Sequence, residues 1–589
     1  MFRSRRMRRG RLLAFVAVCA VAATAAVSIG STALAEEHVL ELIPEDALGF
    51  AVVKSVDNLD AKVNAFAKAA GLPVPPVSQS LGKFLKIDGG VKMQTPAAAV
   101  VMAGATTDKP AIFLLIPTSD IEALTANWEP EKRDDGMWAV QVGPLPSLCA
   151  EKNGYVVLGD VDEEAAMKRL LASETNIVEE TTPWHEWGAE QDVVAFVSKA
   201  GWKRAYREIG ELMDKGIESI PDDSPQGKQT RAGLEVYRGL FKSLGAEVEC
   251  FAVGVTIDKD AVLTMTNKAK LVEGGAMEAS LKRMPQPPEN LLVGLPNEPF
   301  FFAAAGGIDK GVMEEMMKFS FTMMKGMPGM MGGTDEQNRR LMEMSMKTVK
   351  DITGMGLVFG IPEEGDLFLG GMAGAVWTTD TEAYRKTYTE QIEQMAELAK
   401  EVPQAAWFKD MKMEKTDIDG VSGWKIAFDL SSMFDMMKDD PQAAEMLKRM
   451  YGESEVITSY FALGGKEYVV YAYSPEALKK ALAAVEDVKN SLAASKEVAQ
   501  VNGKLMKNPG WVGYVSPTGM IAMVNSMMKS TGQPIRLPEF PPTPPIGFGA
   551  KYDDGMFTKQ LVVLPKTVKD AVFYGLMLQA NPPKPATVQ

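Results

Sequence analysis

The chain has 589 residues and a formal net charge of −14. This length exceeds what a single hydrophobic core usually serves, so several domains are expected. The acidic balance opposes phosphate backbones and anionic headgroups, which excludes nucleic acid as an expected partner.

The first 35 residues differ in kind from the rest. Six arginines precede an apolar run of 18 residues from Leu12 to Ile29, and Ala33-Leu34-Ala35 stands before Glu36. This order is typical of a secretory signal, although a run of that length could also serve as an uncleaved anchor. We predict cleavage after Ala35, export to the periplasm or the extracellular space, and no stable membrane span afterwards. The mature formal charge becomes −20, because the signal carries six arginines and no acid.

The next segment reads as alternating short strands and helices. The pattern predicts strands at 48–54, 97–103, 111–116 and 137–142, with one helix after the first strand and another at 118–127. This βαββαβ order is that of a ferredoxin-like unit. A hairpin at Asn153-Gly154 and a helix from Asp162 close the segment. A shorter βαββα part follows, in which VAFVSKAG at Val194 leads into a helix and AVGVTIDKDAVLTM at Ala252 predicts a hairpin.

Several phrases recur later in the chain in the same order. VAFVSKAG at Val194 returns as VGYVSPTG at Val512, 318 residues further on. TSDIEAL at Thr118 matches TTDTEAY at Thr378, GYVVLGDVDEEAAMKRLL at Gly154 matches EYVVYAYSPEALKKALAA at Glu467, and IPEDALGFAVV at Ile43 matches LPNEPFFFAAA at Leu295. We interpret these phrases as an internal duplication.

The duplication predicts the domain organisation. After the signal peptide at 1–35, a first half spans 36–290, with parts at about 40–175 and 184–285. A second half spans 291–589, with parts at about 292–488 and 505–580. The spacing from Trp138 to Tyr155 is 17, against 44 from Trp424 to Tyr468, which predicts a helical insertion near 431–455. The fold class is α+β, with antiparallel sheets covered by helices on one face and ferredoxin-like βαββα(β) units.

The opening of the mature chain resembles uncharacterised domain families of exported bacterial proteins. Leu42, Pro44 and Asp46 form an L-x-P-x-[DE] motif before an apolar strand, and a large duplicated α+β body follows the exported start. The resemblance covers most of the mature chain. It implies no activity and no residue roles, because such families have none established.

Methionine is the one unusual feature of the composition, with 38 residues. The slot from Pro44 to Thr118 holds two methionines, whereas the matching slot from Pro296 to Thr378 holds 13. Such a surface is adaptable core filler, a face for varied apolar partners, or a soft thioether site for copper(I). Helices at about 308–325 and 335–350 therefore give a candidate partner-binding face: Met313, Met316, Met317, Met323, Met324, Met327, Met342 and Met346.

No catalytic, cofactor-binding or metal-binding residue is predicted. Only His38 and His185 are available as histidine bases, and no G-x-S-x-G motif presents a serine. Trp184, His185 and Trp187 form either an aromatic ligand platform or a loop anchor. Cys149 and Cys250 could form a disulfide after export, and the sequence leaves their pairing open.

The function expected from these patterns is binding or scaffolding in the cell envelope, without enzymatic activity and without a cofactor. The partner is an unidentified envelope protein or an apolar ligand. The alternative is a carboxylate-dependent hydrolase that acts on an envelope polymer. A minor alternative is methionine-based handling of copper(I).

Overall fold

The computed structural model describes most of the chain beyond the predicted signal. It describes residues 38–104, 109–220, 225–283, 290–311, 313–314, 317, 335–362, 368–400, 411–418, 420–431, 456–530 and 536–580. The predicted insertion near 431–455 falls almost entirely outside these residues. Within them, no helix combines the length and the apolar character needed to cross a membrane. The α+β class is confirmed by the elements that follow.

The chain forms two compact units whose boundaries interleave in the sequence. Unit 1 holds residues 38–209, 248–272 and 555–565 of the described chain, and unit 2 holds 210–247, 273–554 and 566–580. The chain therefore passes between the units after residues 209, 247, 272, 554 and 565.

The strands of unit 1 pair only antiparallel, in the order β4-β5-β6-β7-β3-β2-β1-β8-β9-β10-β20. Apolar residues alternate along β2, which reads AAAVVMA and buries every second side chain. The bounds are β1 Gly49–Val53, β2 Ala97–Ala103, β3 Pro110–Pro117, β4 Glu131–Lys132, β5 Trp138–Val142, β6 Leu145–Lys152, β7 Tyr155–Asp160, β8 Val193–Val197, β9 Val248–Ile257, β10 Leu263–Leu271 and β20 Met556–Val563.

Unit 2 also contains an antiparallel sheet, in the order β14-β15-β16-β17-β13-β12-β11-β18-β19. The order β15-β16-β17-β13-β12-β11-β18-β19 in unit 2 matches the order β5-β6-β7-β3-β2-β1-β8-β9 in unit 1, strand for strand. The bounds are β11 Phe300–Gly307, β12 Ile352–Gly360, β13 Met372–Thr378, β14 Met413–Ile418, β15 Val421–Asp429, β16 Val456–Leu463, β17 Tyr468–Ala472, β18 Trp511–Val515 and β19 Ile546–Asp553.

Several helices begin at a capping side chain. In α1, the side chain of Ser55 accepts a hydrogen bond from the Asn58 amide, and Gly71 ends the helix at a φ of 68°. The described helices are α1 Val56–Ala70, α2 Val77–Leu85, α3 Ile121–Thr125, α4 Glu164–Ala172, α5 Val178–Thr181, α6 His185–Ala189, α7 Lys199–Glu218, α8 Pro225–Ala246, α9 Ala276–Lys282, α10 Asp335–Val349, α11 Thr381–Ala399, α12 Pro475–Glu486, α13 Lys496–Asn502, α14 Pro517–Ser530 and α15 Pro565–Ala580.

Most strands predicted in the first half are present within a residue or two. The predictions at 97–103 and 137–142 correspond to β2 and β5, and the Asn153-Gly154 hairpin joins β6 to β7. The predicted helix at 118–127 is only the five-residue α3. The strands β1 and β2, which flank α1 and α2, are antiparallel neighbours. These pairings do not confirm a ferredoxin-like unit.

The repeated phrase at Val194 and Val512 forms the same tight strand-to-helix junction in each unit. Ser198 Oγ accepts the Gly201 amide at 3.1 Å, and Ser516 Oγ accepts the Gly519 amide at 3.1 Å. A Cβ on Gly201 would lie 1.7 Å from the carbonyl oxygen of Leu48, and one on Gly519 would lie 1.7 Å from that of Phe300. The phrase therefore recurs because this junction needs a capping serine and a residue without a side chain.

The second repeated phrase also makes the same contacts. The amides of Thr118 and Thr378 donate to the carbonyls of Gly154 and Glu467, at 3.0 and 2.9 Å. Register agrees along the adjacent strands, because Phe113 faces Gly159 in unit 1 while Ala373 faces Ala472 in unit 2. One local difference is a bulge in β11 between Phe300 and Phe302, which inserts a residue relative to β1.

Candidate functional site

Half of the predicted methionine face lies within the described residues. Met313 and Met317 lie in a helical segment after Asp309, and Met342 and Met346 lie on α10. All four side chains are partly buried. The other four predicted residues, Met316, Met323, Met324 and Met327, fall outside the described residues.

Helix α10 contacts α11 through polar side chains. Thr348 donates to the Gln391 amide oxygen, and the Gln391 amide nitrogen donates to Ser345 Oγ at 3.2 Å. Viewed down the helix axis, Met342 and Met346 lie roughly 60° and 100° from Ser345 in the same direction, because each residue turns the helix by about 100°. Both methionines therefore lie to one side of the contact with α11 and remain partly accessible.

Helices α14 and α15 also expose large apolar side chains. On α15, Phe573 is 65 % exposed and Leu576 is 59 % exposed, three residues apart on one face. On α14, Met520 and Met527 are 48 % and 41 % exposed, two turns apart. The sequence pattern predicted a helix at the end of the βαββα part of the second half, but not the exposed apolar face of that helix. The signal for that face is the run of ten residues from Ala571 to Ala580, which carry no charge.

A buried ion pair in unit 1 also escaped prediction. Lys62 Nζ, on α1, lies 3.6 Å from Oδ1 of Asp192, and both side chains are largely buried. Oδ2 of Asp192 accepts the Thr256 hydroxyl at 2.8 Å and the Ile257 amide at 3.2 Å. Burial lowers the pKa of Lys62, and the Asp192 charge partly opposes that shift. The pair anchors α1 to the start of β8, which Asp192 precedes directly. Lys62 Nζ is buried and therefore cannot reach a substrate in solvent.

Unit 2 contains a chain of aromatic rings where α11 covers the sheet. Tyr384 stacks on Tyr388 at 5.9 Å, Tyr388 lies 5.9 Å from Phe461, and Phe461 lies 5.5 Å from Trp424. Arg385 covers Trp424 at 5.3 Å. Burial raises the pKa of the Tyr388 phenol to about 12 and that of Tyr384 still further. These raised values keep the phenols neutral, which suits a packed core.

The tryptophans beside His185 anchor their segment in the core. Trp184 is buried, with its ring 5.7 Å from Phe196 and 6.3 Å from Trp187. His185 Nε2 lies 3.1 Å from the Thr181 hydroxyl, one turn earlier. Of the two readings of this segment, the geometry favours the loop anchor over an open ligand platform.

Cys149 and Cys250 are both free and buried, so the disulfide that the sequence left open is not formed. Cys149 lies on β6 and Cys250 on β9, in separate apolar clusters. Burial raises the pKa of each thiol to about 12, which keeps both protonated and unreactive at neutral pH.

Five described carboxyl groups have pKa values below their ordinary range, because cationic, hydroxyl or backbone-amide partners stabilise the charged forms: Asp135, Glu164, Glu249, Glu278 and Asp429. A general acid would require a raised value. The described residues also contain no group of three or more His, Cys, Asp or Glu side chains arranged to hold a metal ion.

No family model, curated protein or solved structure matches this chain.

Proposed function

We propose that the protein is an exported binding or scaffolding protein of the cell envelope, without enzymatic activity, whose second half carries the partner-binding surface. The observation that carries this proposal is the outer face of α15 from Ala571 to Ala580, which has no charged residue and exposes Phe573 and Leu576. Large exposed apolar side chains that share one helix face are typical of an interaction site. The half-buried Met313, Met317, Met342 and Met346 add an adaptable surface in the same half.

We also propose that the two halves arose by duplication. Shared strand order, shared register and shared capping bonds at Ser198 and Ser516 support this origin. Duplicated halves begin with the same surface, so a feature found in one half only is where a specific function would have been added. Helix α15 has 16 residues, whereas α9, which follows the corresponding hairpin of the first half, has seven.

Export is the second component of the proposal, and it rests on the signal pattern before Glu36. Protein recovered from the native host is expected to begin at Glu36. Recovery of the intact Met1 terminus would contradict cleavage and favour the uncleaved anchor.

The partner-binding proposal is tested by site-specific photocrosslinking in the native envelope. A photoreactive phenylalanine analogue replaces Phe573 in one variant and Met346 in another, and crosslinked species are identified by mass spectrometry. We expect a reproducible partner from at least one of these two positions. Phe84 on α2 is the matched control, because it is 72 % exposed and lies in the first half.

Partners captured from Phe84 and from neither second-half position would overturn the assignment to the second half. Capture from Met346 alone would assign the methionine-rich helices as the binding face, and capture from Phe573 alone would assign α15.

A further inference from the structure

Residues 536–545 form a proline-rich segment, RLPEFPPTPP, that is neither helix nor strand. From residue 536 to 543 the exposed side chains fall at every third position, Arg536, Glu539 and Pro542, while Phe540 and Thr543 are buried. The last two residues of the segment, 544 and 545, are both buried. Three residues per turn is the period of a polyproline II helix, and the five prolines of the segment favour that conformation. The segment therefore presents one edge to the protein and another to solvent.

The buried edge lies in a groove between α14 and α15 of unit 2, and the groove contacts its backbone. Tyr574 donates its hydroxyl proton to the Pro538 carbonyl at 2.8 Å, and Thr518 donates to the Pro541 carbonyl at 2.9 Å. Lys566 Nζ and the Thr567 hydroxyl donate to the carbonyls of Pro542 and Pro544, at 2.7 and 2.9 Å. A polyproline II backbone makes no internal hydrogen bonds, so these carbonyls are free to accept.

Two contacts fix the position of the segment along the groove. The Phe540 ring packs against the Tyr574 ring at a centroid distance of 4.9 Å. The Asn525 side chain exchanges two hydrogen bonds with the Leu537 backbone, at 2.9 and 2.8 Å, as a strand neighbour would. The groove therefore combines sequence-tolerant carbonyl contacts with one aromatic anchor.

We propose that the α14–α15 groove is a recognition site for proline-rich chains in the polyproline II conformation, and that residues 536–545 are its resident ligand. Donors on a rigid pair of helices, an aromatic contact and a preformed extended ligand are the components of polyproline recognition. The matching ligand is a proline-rich peptide that carries an aromatic residue at the Phe540 position. This site uses the buried side of α15 and does not depend on the function proposed for Phe573 and Leu576.

The resident segment is tethered at both ends, so it competes with any peptide at a high effective concentration. The site should bind in trans only when the resident segment is weakened. Phe540→Ala does this, because it removes the anchor from the segment and leaves every groove side chain in place.

The test is a fluorescence anisotropy titration of labelled RLPEFPPTPP with the full mature chain carrying Phe540→Ala. We expect saturable binding that is about tenfold or more tighter than to the unsubstituted protein, since loss of an aromatic anchor changes affinity by at least this factor. A peptide with alanine at the Phe540 position should bind about tenfold or more weakly. Adding Tyr574→Phe to the protein variant should weaken binding several-fold, because the donor to Pro538 is lost.

The proposal would be overturned if neither the alanine substitution in the peptide nor Tyr574→Phe in the protein changed the affinity. It would also be overturned if folded Phe540→Ala protein bound no peptide. If Phe540→Ala does not fold, Thr543→Val replaces it. The Thr543 hydroxyl lies within hydrogen-bond distance of the Asp570 carboxylate and the Pro541 carbonyl and donates to one of them. Thr543 belongs to the segment rather than to the groove. That variant should bind the labelled peptide more tightly than the unsubstituted protein does, and no gain in binding by folded Thr543→Val protein would overturn the proposal.

Discussion

The two halves share their strand register and their capping bonds, yet they fill the helical layer with different chemistry. Positions matched by the repeated phrases are aliphatic or indole in the first half and phenolic in the second: Leu124, Trp128 and Leu158 against Tyr384, Tyr388 and Tyr471. Trp128 donates its indole proton to the Leu85 carbonyl at 2.6 Å, whereas Tyr388 packs within a chain of rings. Strand register and backbone caps therefore define this architecture, and the core above the sheet varies as long as its volume is filled.

The larger differences lie in the connections. After the shared strand-to-helix junction, the first half continues into the helix α8, and the second half continues into the proline-rich segment. The short α9 of the first half corresponds to the long, apolar α15 of the second. Connections tolerate such changes because few buried contacts depend on them. The features proposed to bind partners are therefore found in the connections rather than in the shared sheet.

The largest expected effect concerns the Lys62–Asp192 ion pair, which has no equivalent at the matching described position of the second half. Asp192 is matched by Gly510 in the second half, and both backbone carbonyls accept the equivalent amide, from Lys54 and Gly307. Asp192→Ala removes the carboxylate that is paired with the buried Lys62 and leaves the weaker influence of the Asp258 charge. Breaking such a buried pair should cost about 3–5 kcal/mol. Urea denaturation followed by tryptophan fluorescence measures the loss.

Asp135→Ala is the control for that variant, because Asp135 lies in a surface network with Arg133 and Lys168. Its effect on stability should be much smaller. Equal losses from the two variants would show that the buried pair is not a special anchor of the first half.

The second prediction concerns the junction that both halves share. Gly201→Ala and Gly519→Ala each place a Cβ against a backbone carbonyl that cannot move aside. Each should lower the free energy of unfolding by about 3 kcal/mol through overpacking. Gly210→Ala in α7 meets no atom within 4 Å and should raise helix stability by about 0.5–1 kcal/mol. A tolerated alanine in one half only would break the equivalence of the two junctions.

The third prediction uses the phenolic core of the second half. The pKa of Tyr388 is raised from 10.0 to about 12 by burial, so its contribution to stability is fully present below pH 10. That contribution is lost as the pH rises from 10 through about 12. The Tyr388→Phe variant should have nearly the same free energy of unfolding as the unsubstituted protein at neutral pH. Between pH 10 and about 12 its free energy of unfolding should fall less steeply. Thermal melts at several pH values check this, and identical slopes for the two proteins would contradict it.

The sequence predicted the elements that depend on local pattern. Alternating apolar residues located β2, and the Asn153-Gly154 turn located the β6–β7 hairpin, because period-two burial and turn chemistry act over a few residues. The sequence showed that the phrase around Ser198 and Ser516 is repeated, but not why. The reason is the close approach of Gly201 and Gly519 to backbone that is distant in the sequence. The Lys62–Asp192 pair joins residues 130 positions apart, and no local pattern indicates it.

For the candidate surfaces, too, the sequence shows the local composition but not the tertiary packing. The methionine excess could be counted, but whether Met342 faces the sheet or solvent depends on tertiary packing. The charge-free run in α15 was visible in the sequence, yet such a run is usually buried, so its exposure could not be read from composition.

The smallest expected effect on stability falls on α14, where exposed and buried methionines share one helix. Met520→Gln and Met527→Gln change side chains that are 48 % and 41 % exposed, so stability should stay within about 0.5 kcal/mol. Met523→Gln is the matched control, because Met523 is 5 % exposed and a buried amide without a partner should cost about 1–3 kcal/mol. Thermal melts measure both, while crosslinking from Phe573 measures partner capture. If Met520 and Met527 belong to the apolar surface of the second half, their substitution weakens capture and leaves the melting temperature in place. Unchanged capture would restrict that surface to α15 and the methionine-rich helices.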